Sequence, residues 1–546
     1  MNLELRSQPA RSGGSLERLG WSLKTLLCGI PLALCLGLFC LPLLAQNPSA
    51  TITGWISDTT DAAVPGATVT LTGVGTGLTL KTETNGAGIY WISGLVAGPY
   101  RIDISKEGFA SVTEQGIEIH VGETALLNYQ VVVGSVRETA TVEASAILLD
   151  SATSTVGQVI EARQIEDTPL NGRNVMNLLA LAPGVVPQGA TSGAATNNQP
   201  SIGNYTNPAG WSNYQIGGGV AGQNAAYLDG APLNAPIQNW IGLIPAEDSV
   251  SEFRVDSNNL SPEFGRYYGG VISFLTKSGS NEFHGSAYEY FRNTILDANN
   301  FFNNRTNIDR PPLVQNQYGL SFGGPLVKNK LFIFANWEGY ANRAGLPYSA
   351  RVPTAAERVG DFTNDRPIYY SGTTTQVSCN GVLNKVCPDA TAYYMANGIK
   401  YWPFPNIPNA PEDGTNFATN ASSGSNSNQV TARGDYDLAK HRLFTRYTRW
   451  GTNTLATNYF HNDAPQPAVL STTHQALLGD TYSINSSTFL DVRLSFLRFD
   501  FNSVPPALGK VDLSKFPGLA PYANQVTFNA LQSLFLSGTV PLPFLC

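Results

Sequence analysis

The second half of the chain alternates apolar and polar residues over short stretches. In "FLDVRLSFLRFDF", Leu490, Val492, Leu494 and Phe496 are separated by polar or charged residues. A period of two residues is typical of a β-strand with one apolar face. The pattern predicts strands at 283–292, 316–323, 331–340, 428–437, 441–450, 473–483 and 488–499.

The links between these predicted strands alternate between short and long. A tight turn is predicted at Gly323-Gly324-Pro325, whereas the links at 293–315, 341–427 and 451–472 are long. Soluble sandwiches have no reason to sort their loops in this way, but outer-membrane barrels combine short turns at one end with long loops at the other. We therefore predict a transmembrane antiparallel β-barrel, with one face of each strand on lipid.

Composition supports a mainly β protein and argues against nucleic-acid binding. Charged residues make up 13% of the 546 residues, below the roughly 25% of ordinary soluble chains. The mean hydropathy is only −0.09. Gly, Asn, Ser and Thr, and not long apolar runs, therefore take the place of the missing charged residues. The net charge of −7 and the lack of Lys/Arg clusters exclude a phosphate-binding surface.

The N-terminus has the pattern of an export signal. Basic residues precede the apolar run "LLCGIPLALCLGLFCLPLLA", which ends at Ala45 before polar residues. This order predicts a signal peptide at 1–45, with the mature chain beginning near Gln46. A transmembrane anchor is the alternative, because the run approaches the ~20 residues that span a bilayer. Pro31 and Pro42 within the run favour the signal.

Short strands separated by turn residues follow the signal. The segments "ATITGWISD", "ATVTLTGV", "TLKTETN", "GIYWISGL", "YRIDISKEGF" and "ALLNYQVVV" are divided by Gly, Pro, Asn and Asp. Regular spacing of this kind predicts a small β-sandwich at 46–134. Its role is open between a structural spacer and a carbohydrate-binding module.

The middle segment, 135–281, has a different texture. It opens with "RETATVEASA", an alternating stretch that can add as a strand to the sheet edge of a partner. A short helix is predicted at Val175–Leu181, before Pro183 and Gly184. A stretch rich in Gly, Asn and Ala follows and is predicted to be a loop.

Several phrases of the sequence resemble known families. "VPGATVTL" and "TETNGAGIYWISGLVAGPYRIDISKEGF" resemble the carboxypeptidase-regulatory-like domain, which has a transthyretin-like, carbohydrate-binding-like fold. "AAYLDGAPLN" and "IPAEDSVSEFRVDSNNLSPEFGRYYGGVISFLTKSGSNEFHGSAYEYFRN" resemble the plug and plug–barrel junction of Oar-like TonB-dependent outer-membrane receptors. The resemblance implies an α/β plug at 135–281 and the first part of a barrel at 282–546.

The resemblance also implies partners and a location. The TonB-box position, where an energy-coupling protein of the TonB type would bind, falls on Glu138, Thr139, Ala140, Thr141, Val142, Glu143 and Ala144. The barrel would sit in outer-membrane lipid with the sandwich in the periplasm, importing an unidentified oligosaccharide, peptide or metal chelate. The alternative is a cell-surface binding or adhesion protein that uses the long loops without transport.

Cysteines and missing motifs complete the sequence-based expectations. Cys379 and Cys387 lie in a turn-rich stretch and are predicted to form a disulfide in an exported protein. Seven strands cannot enclose a plug, because a plug needs a lumen like that of ~22-stranded transporters. Cys546 also has no partner for a disulfide. We therefore expect a truncated barrel. The histidines are scattered and catalytic motifs are missing, so we expect no enzyme activity, cofactor or metal site.

Overall fold

The computed structural model describes most of the chain between residues 50 and 504. The described ranges are 50–134, 139–143, 155–187, 214–220, 222–235, 239, 241–262, 264–305, 309–370, 373–387, 402–411, 414–438, 440–461, 468–485 and 488–504. The predicted signal at 1–45, together with Glu138, Ala144 and Cys546, lies outside them. In the described ranges, no helix is long and apolar enough to cross a membrane.

Two sheets packed face to face form the first domain, which we call the sandwich. Its strands are β1 (Ala50–Asp58), β2 (Thr68–Gly73), β3 (Thr79–Glu83), β4 (Ile89–Leu95), β5 (Gly98–Ser105), β6 (Ser111–Ile119), β7 (Thr124–Leu126), β8 (Tyr129–Val131) and β9 (Thr139–Glu143). One sheet has the order β4–β1–β7, with β8 also on β1, and the other has the order β3–β2–β5–β6–β9.

Alternating residues of both sheets form the core of the sandwich. Ile52, Tyr90 and Ile102 are examples, each almost fully buried, as expected where the inner faces of two sheets interdigitate. The predicted sandwich is therefore confirmed. The sequence-based prediction missed β6, because Glu, Gln and Gly interrupt the apolar period of "SVTEQGIEI".

A mixed sheet with short helices follows, and we call residues 155–276 the plug. Its elements are β10 (Val156–Ile160), α1 (Ala162–Asp167), 3-10 helices at Asn171–Arg173, Val175–Leu181 and Glu247–Ser249, β11 (Val185–Pro187), β12 (Tyr214–Ile216), β13 (Ala225–Leu228), β14 (Ala231–Pro232), β15 (Val250–Asn258) and β16 (Val271–Thr276). The main sheet has the order β10–β15–β16–β13–β14. The predicted helix at Val175–Leu181 is present as a 3-10 helix.

Long antiparallel strands form the last part of the described chain, which we call the barrel sheet. Its seven strands, in sheet order, are β17 (His284–Asn293), β18 (Leu313–Val327), β19 (Leu331–Ala350), β22 (Phe417–Leu438), β23 (His441–Thr454), β24 (Ala468–Asn485) and β25 (Thr488–Val504). Its long loops contain 3-10 helices at Thr294–Leu296 and Glu357–Val359, α2 (Phe301–Arg305), β20 (Ser378–Cys379) and β21 (Val382–Leu383).

The barrel sheet contains every strand that the alternating pattern predicts, and most are longer than predicted. Links of two or three residues join β18 to β19, β22 to β23 and β24 to β25, whereas the other links are long. The turn predicted at Gly323-Gly324-Pro325 is wrong, because these residues lie inside β18 and the chain turns at Lys328–Lys330. Asn329 supplies the positive φ of 61° that the turn needs.

Glycine has a different role inside β18. A Cβ at Gly324 would lie 2.1 Å from the ring of Phe283, and one at Gly323 would lie 2.4 Å from the imidazole of His284. The missing side chains therefore leave room for these two rings. A Gly-Gly-Pro sequence at this position serves packing and not reversal of the chain.

The two faces of the barrel sheet differ in polarity. The face toward the plug buries polar side chains, including Gln317, Gln429 and Gln475. The opposite face exposes apolar ones, among them Leu490 at 51% and Leu494 at 72%. Polar-in and apolar-out alternation is the pattern of a membrane barrel, whose outer face meets lipid. The predicted mainly β fold with the first part of a barrel is confirmed.

Candidate functional site

A buried carboxylate of the plug faces the barrel sheet. Asp229 follows the fully buried strand β13, in a turn where its φ is 50°. Its carboxylate accepts hydrogen bonds from Thr276 N at 2.9 Å and from Thr276 Oγ1 at 2.8 Å. Thr276 ends β16, so these bonds join the turn to the last residue of the plug.

Barrel arginines surround Asp229, and we call these residues the Asp229 cluster. Arg446 Nε lies 2.7 Å from the carboxylate, and Arg433 Nη1 donates to it at 3.2 Å. Arg493 Nη1 donates to the main-chain oxygen of Asp229 at 3.1 Å. Arg433 also pairs with Asp435 of its own strand. Because the arginines lie on different strands, one plug residue is bound to three strands of the barrel sheet.

A second cluster has the opposite polarity, and we call it the Arg173 cluster. The guanidinium of Arg173 in the plug lies 3.1 Å from Glu247 Oε1 and 3.6 Å from Glu338 Oε2 on β19. It also contacts the carboxylate of Asp248 and lies over the ring of Tyr288, 4.1 Å from the centroid. Tyr288 Oη donates to Glu338 Oε2 at 2.6 Å. Plug and barrel therefore share this buried cation.

Amide side chains of the barrel sheet also bind the plug backbone. Gln429 donates to the carbonyl of Ile244 at 2.7 Å, and Gln475 donates to the carbonyl of Pro232 at 3.0 Å. Each such bond contributes about 1 kcal/mol net, because water takes the place of either partner when they separate. These hydrogen bonds hold the two surfaces in one register, and water could take their place at the amides and carbonyls if the surfaces separated.

Five of the seven predicted TonB-box residues form a strand of the sandwich, and the other two, Glu138 and Ala144, lie outside the described residues. Thr139–Glu143 pairs in parallel with Ser111–Gln115 of β6, and we call it the box strand. It is the last strand in the order β3–β2–β5–β6–β9, so its other edge pairs with no described strand. The structure therefore gives this segment the extended backbone that strand addition requires, but attaches it to the sandwich.

The predicted cysteine pair lies in the long loop between β19 and β22. The structure joins Cys379 to Cys387 by a disulfide with a Cα–Cα distance of 5.1 Å. Nearby, burial raises the pKa of Glu357, but hydrogen bonds from Thr354 and Arg351 more than offset this and lower the pKa below its ordinary value. Arg351 also pairs with Asp365 at 2.9 Å. These contacts tie together described parts of the loop.

Comparison with known proteins yields matches for both ends of the chain. Residues 51–132 match the carboxypeptidase regulatory-like domain, and residues 275–543 match the outer membrane beta barrel domain. The TonB-dependent transporter Oar of Myxococcus xanthus is 26% identical over 297 residues, which are 53% of this chain and 26% of that relative. The match therefore spans about a quarter of the length of the relative.

Two solved structures of Escherichia coli proteins are also similar in part. The outer membrane transporter YddB is 12% identical, with a TM-score of 0.32, and the alignment covers 63% of this chain and 48% of the transporter. The ferric-catecholate import receptor Fiu is 13% identical, with a TM-score of 0.32, and the alignment covers 65% of this chain and 51% of the receptor.

A compact domain bound to the polar face of a membrane barrel sheet is the arrangement of a filled outer-membrane β-barrel. The two matched domains and the similarity to Oar support an Oar-like TonB-dependent receptor. Its location is the outer membrane. The curated relative Oar is a transporter.

Proposed function

We propose that the protein takes up a solute across the outer membrane, powered by a coupling protein of the TonB type. The short-turn end of the barrel sheet faces the periplasm and the long loops face outward, as in other outer-membrane barrels. The plug closes the lumen at rest. The buried Asp229 and Arg173 clusters are the observation that carries this proposal, since they fix the plug in a polar lumen.

The polar interface suits a plug that moves and returns. Its hydrogen bonds can be exchanged for bonds to water, whereas an apolar interface of the same size would lose its full burial free energy on opening. Force on the box strand reaches the plug through the chain that connects Glu143 to β10. The similarity to a TonB-dependent transporter favours transport over surface adhesion.

Backbone substitutions in the box strand test the proposal. Val142→Pro removes a main-chain donor and prevents strand pairing at that residue, whereas the matched control Val142→Ala keeps the donor. The cargo is sought by untargeted mass spectrometry of the medium of expressing cells. We expect solutes that are depleted by the wild type and by Val142→Ala, but not by Val142→Pro or by cells without the coupling protein.

The solute class follows from whatever the depleted compounds share: oligosaccharides, peptides or metal chelates. Equal amounts of Val142→Pro and Val142→Ala in the outer membrane must be shown by heat-shifted migration of the folded barrel. Identical depletion by both variants would mean that the box strand does not couple transport.

A further inference from the structure

The sandwich contacts the plug and the short-turn end of the barrel sheet at separate points. Asn281, between the plug and β17, donates from its backbone to Gly75 O at 2.9 Å and from its side chain to Thr76 O at 2.8 Å. Arg442 Nη1, at the start of β23, donates to Gly94 O at 2.7 Å. These bonds place two loops of the sandwich against the rim of the barrel sheet.

A third contact joins the sandwich to the plug. Glu252 of β15 accepts hydrogen bonds from Val121 N and from His120, whose Nδ1 lies 2.9 Å away. The carboxylate has only 10% of its side-chain surface exposed. Hydrogen bonds therefore join the sandwich to both the plug and the barrel sheet at separate points.

The space under the sandwich leads to the Asp229 cluster. A cavity of about 240 Å³ is lined by Leu95–Tyr100 of the sandwich and, on the opposite side, by Asp229, Arg433 and Phe444. A path that opened beside Asp229 when the plug moved would enter this cavity. The sandwich forms one wall of this cavity, so it narrows the way out while it stays in place.

We propose that the sandwich is a lid on the periplasmic exit, and that force on the box strand displaces it. The box strand is part of the lid itself, because it pairs with β6 over the five positions from Ser111↔Thr139 to Gln115↔Glu143. A coupling protein that adds to the free edge of the box strand thereby extends the sheet of the sandwich. This inference rests on the proposed function, since it needs the coupling protein to bind there.

A single cysteine under the lid reports its movement. A Cβ built on Gly94 would lie 2.9 Å from the methyl group of Thr481 on β24, so Thr481→Cys would lie partly buried against the sandwich. In a Cys546→Ser background, its labelling by a fluorescent maleimide is measured in cells with and without the coupling protein. We expect labelling at least about tenfold faster with the coupling protein, because protection requires the closed state.

A reversible lock is the second variant. A Cβ on Gly75 would lie 3.8 Å from Ser280 Cβ, and ~3.8 Å is the mean Cβ separation in disulfides. Gly75→Cys with Ser280→Cys should hold the lid closed when oxidised and release it after reduction. The control pair is Thr70→Cys with Lys81→Cys, which are cross-strand neighbours within the sandwich. We expect only the first pair, when oxidised, to abolish the fast labelling of Thr481→Cys.

The outcomes separate the lid from the proposed function. Slow labelling in both kinds of cell would show that the lid does not open, and fast labelling in both would show that it does not cover Thr481; either overturns the inference. If the coupling protein cross-links to a cysteine in the box strand but labelling stays slow, the lid fails while the proposed function stands. If no cross-link forms and labelling does not depend on the coupling protein, both fail.

Discussion

Asp229→Asn is the most informative change at the interface between plug and barrel sheet. The substitution keeps the size of the side chain and one oxygen for the Thr276 amide, but removes the negative charge. Among the described residues, Asp229 is the one carboxylate within ion-pair distance of Arg446, so the substitution leaves this arginine without a charged partner there. Its remaining contacts are neutral, with Gln475 Oε1 at 2.9 Å and Leu228 O at 3.0 Å.

The magnitude follows from the burial of the arginine. Arg446 is among the largest fully buried side chains of the described residues, and removing one partner of such a buried pair costs about 3–5 kcal/mol. Arg433 loses less, because it keeps two hydrogen bonds from Nε to Asp435 at 3.1 and 3.0 Å. We therefore attribute most of the cost to Arg446. Adding Arg446→Met should restore part of it, because the buried charge is removed.

The free energy of unfolding, from denaturant titration in detergent micelles, is the measurement. Asp167→Asn is the matched control, since its pair with Arg163 leaves 72% of the aspartate side chain exposed, and exposed pairs contribute about 0–1 kcal/mol. We expect a loss for Asp229→Asn several times that of the control, and partial recovery in the double variant. If the loss in free energy of unfolding is no larger than in the control, or if the losses of the two substitutions simply add in the double variant, then Asp229 does not stabilise the buried charge of Arg446.

Two further predictions concern the loop disulfide and the contact between sandwich and plug. Cys379→Ser should cost the loop about 2–3 kcal/mol of local stability, seen as faster amide hydrogen exchange there and unchanged exchange in the barrel strands; alkylation of both native thiols without reductant would contradict the disulfide. The hydrogen bond to Glu252 raises the pKa of His120 above 6.5, helped by Glu123 and Glu161 and opposed by partial burial. The charged pair therefore stabilises the fold below the ordinary pKa, and this contribution is lost as pH rises through the raised pKa. The destabilisation by His120→Asn should accordingly shrink toward alkaline pH, and a pH-independent loss would contradict the pairing.

The barrel strands were predictable because membrane strands must alternate. Apolar residues such as Leu494 are favoured on the face that meets lipid, and polar residues such as Gln475 are favoured on the face that meets the plug. The period of two therefore persists along each strand. The sandwich was predictable for a similar reason, except for β6, where Glu114, Gln115 and Gly116 interrupt the apolar period. Alternation does not fix the exact turn, which is why Gly324 was assigned to a turn and lies in a strand.

The contacts of the site were less accessible from the sequence. Asp229 and Arg446 are 217 positions apart in the chain, and no local pattern connects them. A signal does exist: Asp229 directly follows a buried strand, and Arg446 shares the inward-facing positions of an alternating strand with Thr448 and Trp450. Pairing them requires the register of the barrel sheet against the plug, which depends on tertiary packing. The parallel pairing of the box strand with β6 is likewise a long-range contact.

Cross-linking in cells tests directly whether the coupling protein binds the box strand. Single cysteines at Thr139 through Glu143 are compared in intact cells with a control cysteine at Thr79 on β3, at the opposite edge of the same sheet. Oxidation is carried out with cysteines introduced along the periplasmic domain of the coupling protein. We expect disulfide-linked complexes from the box strand and none from Thr79. Complexes from neither site, or from both equally, would contradict it.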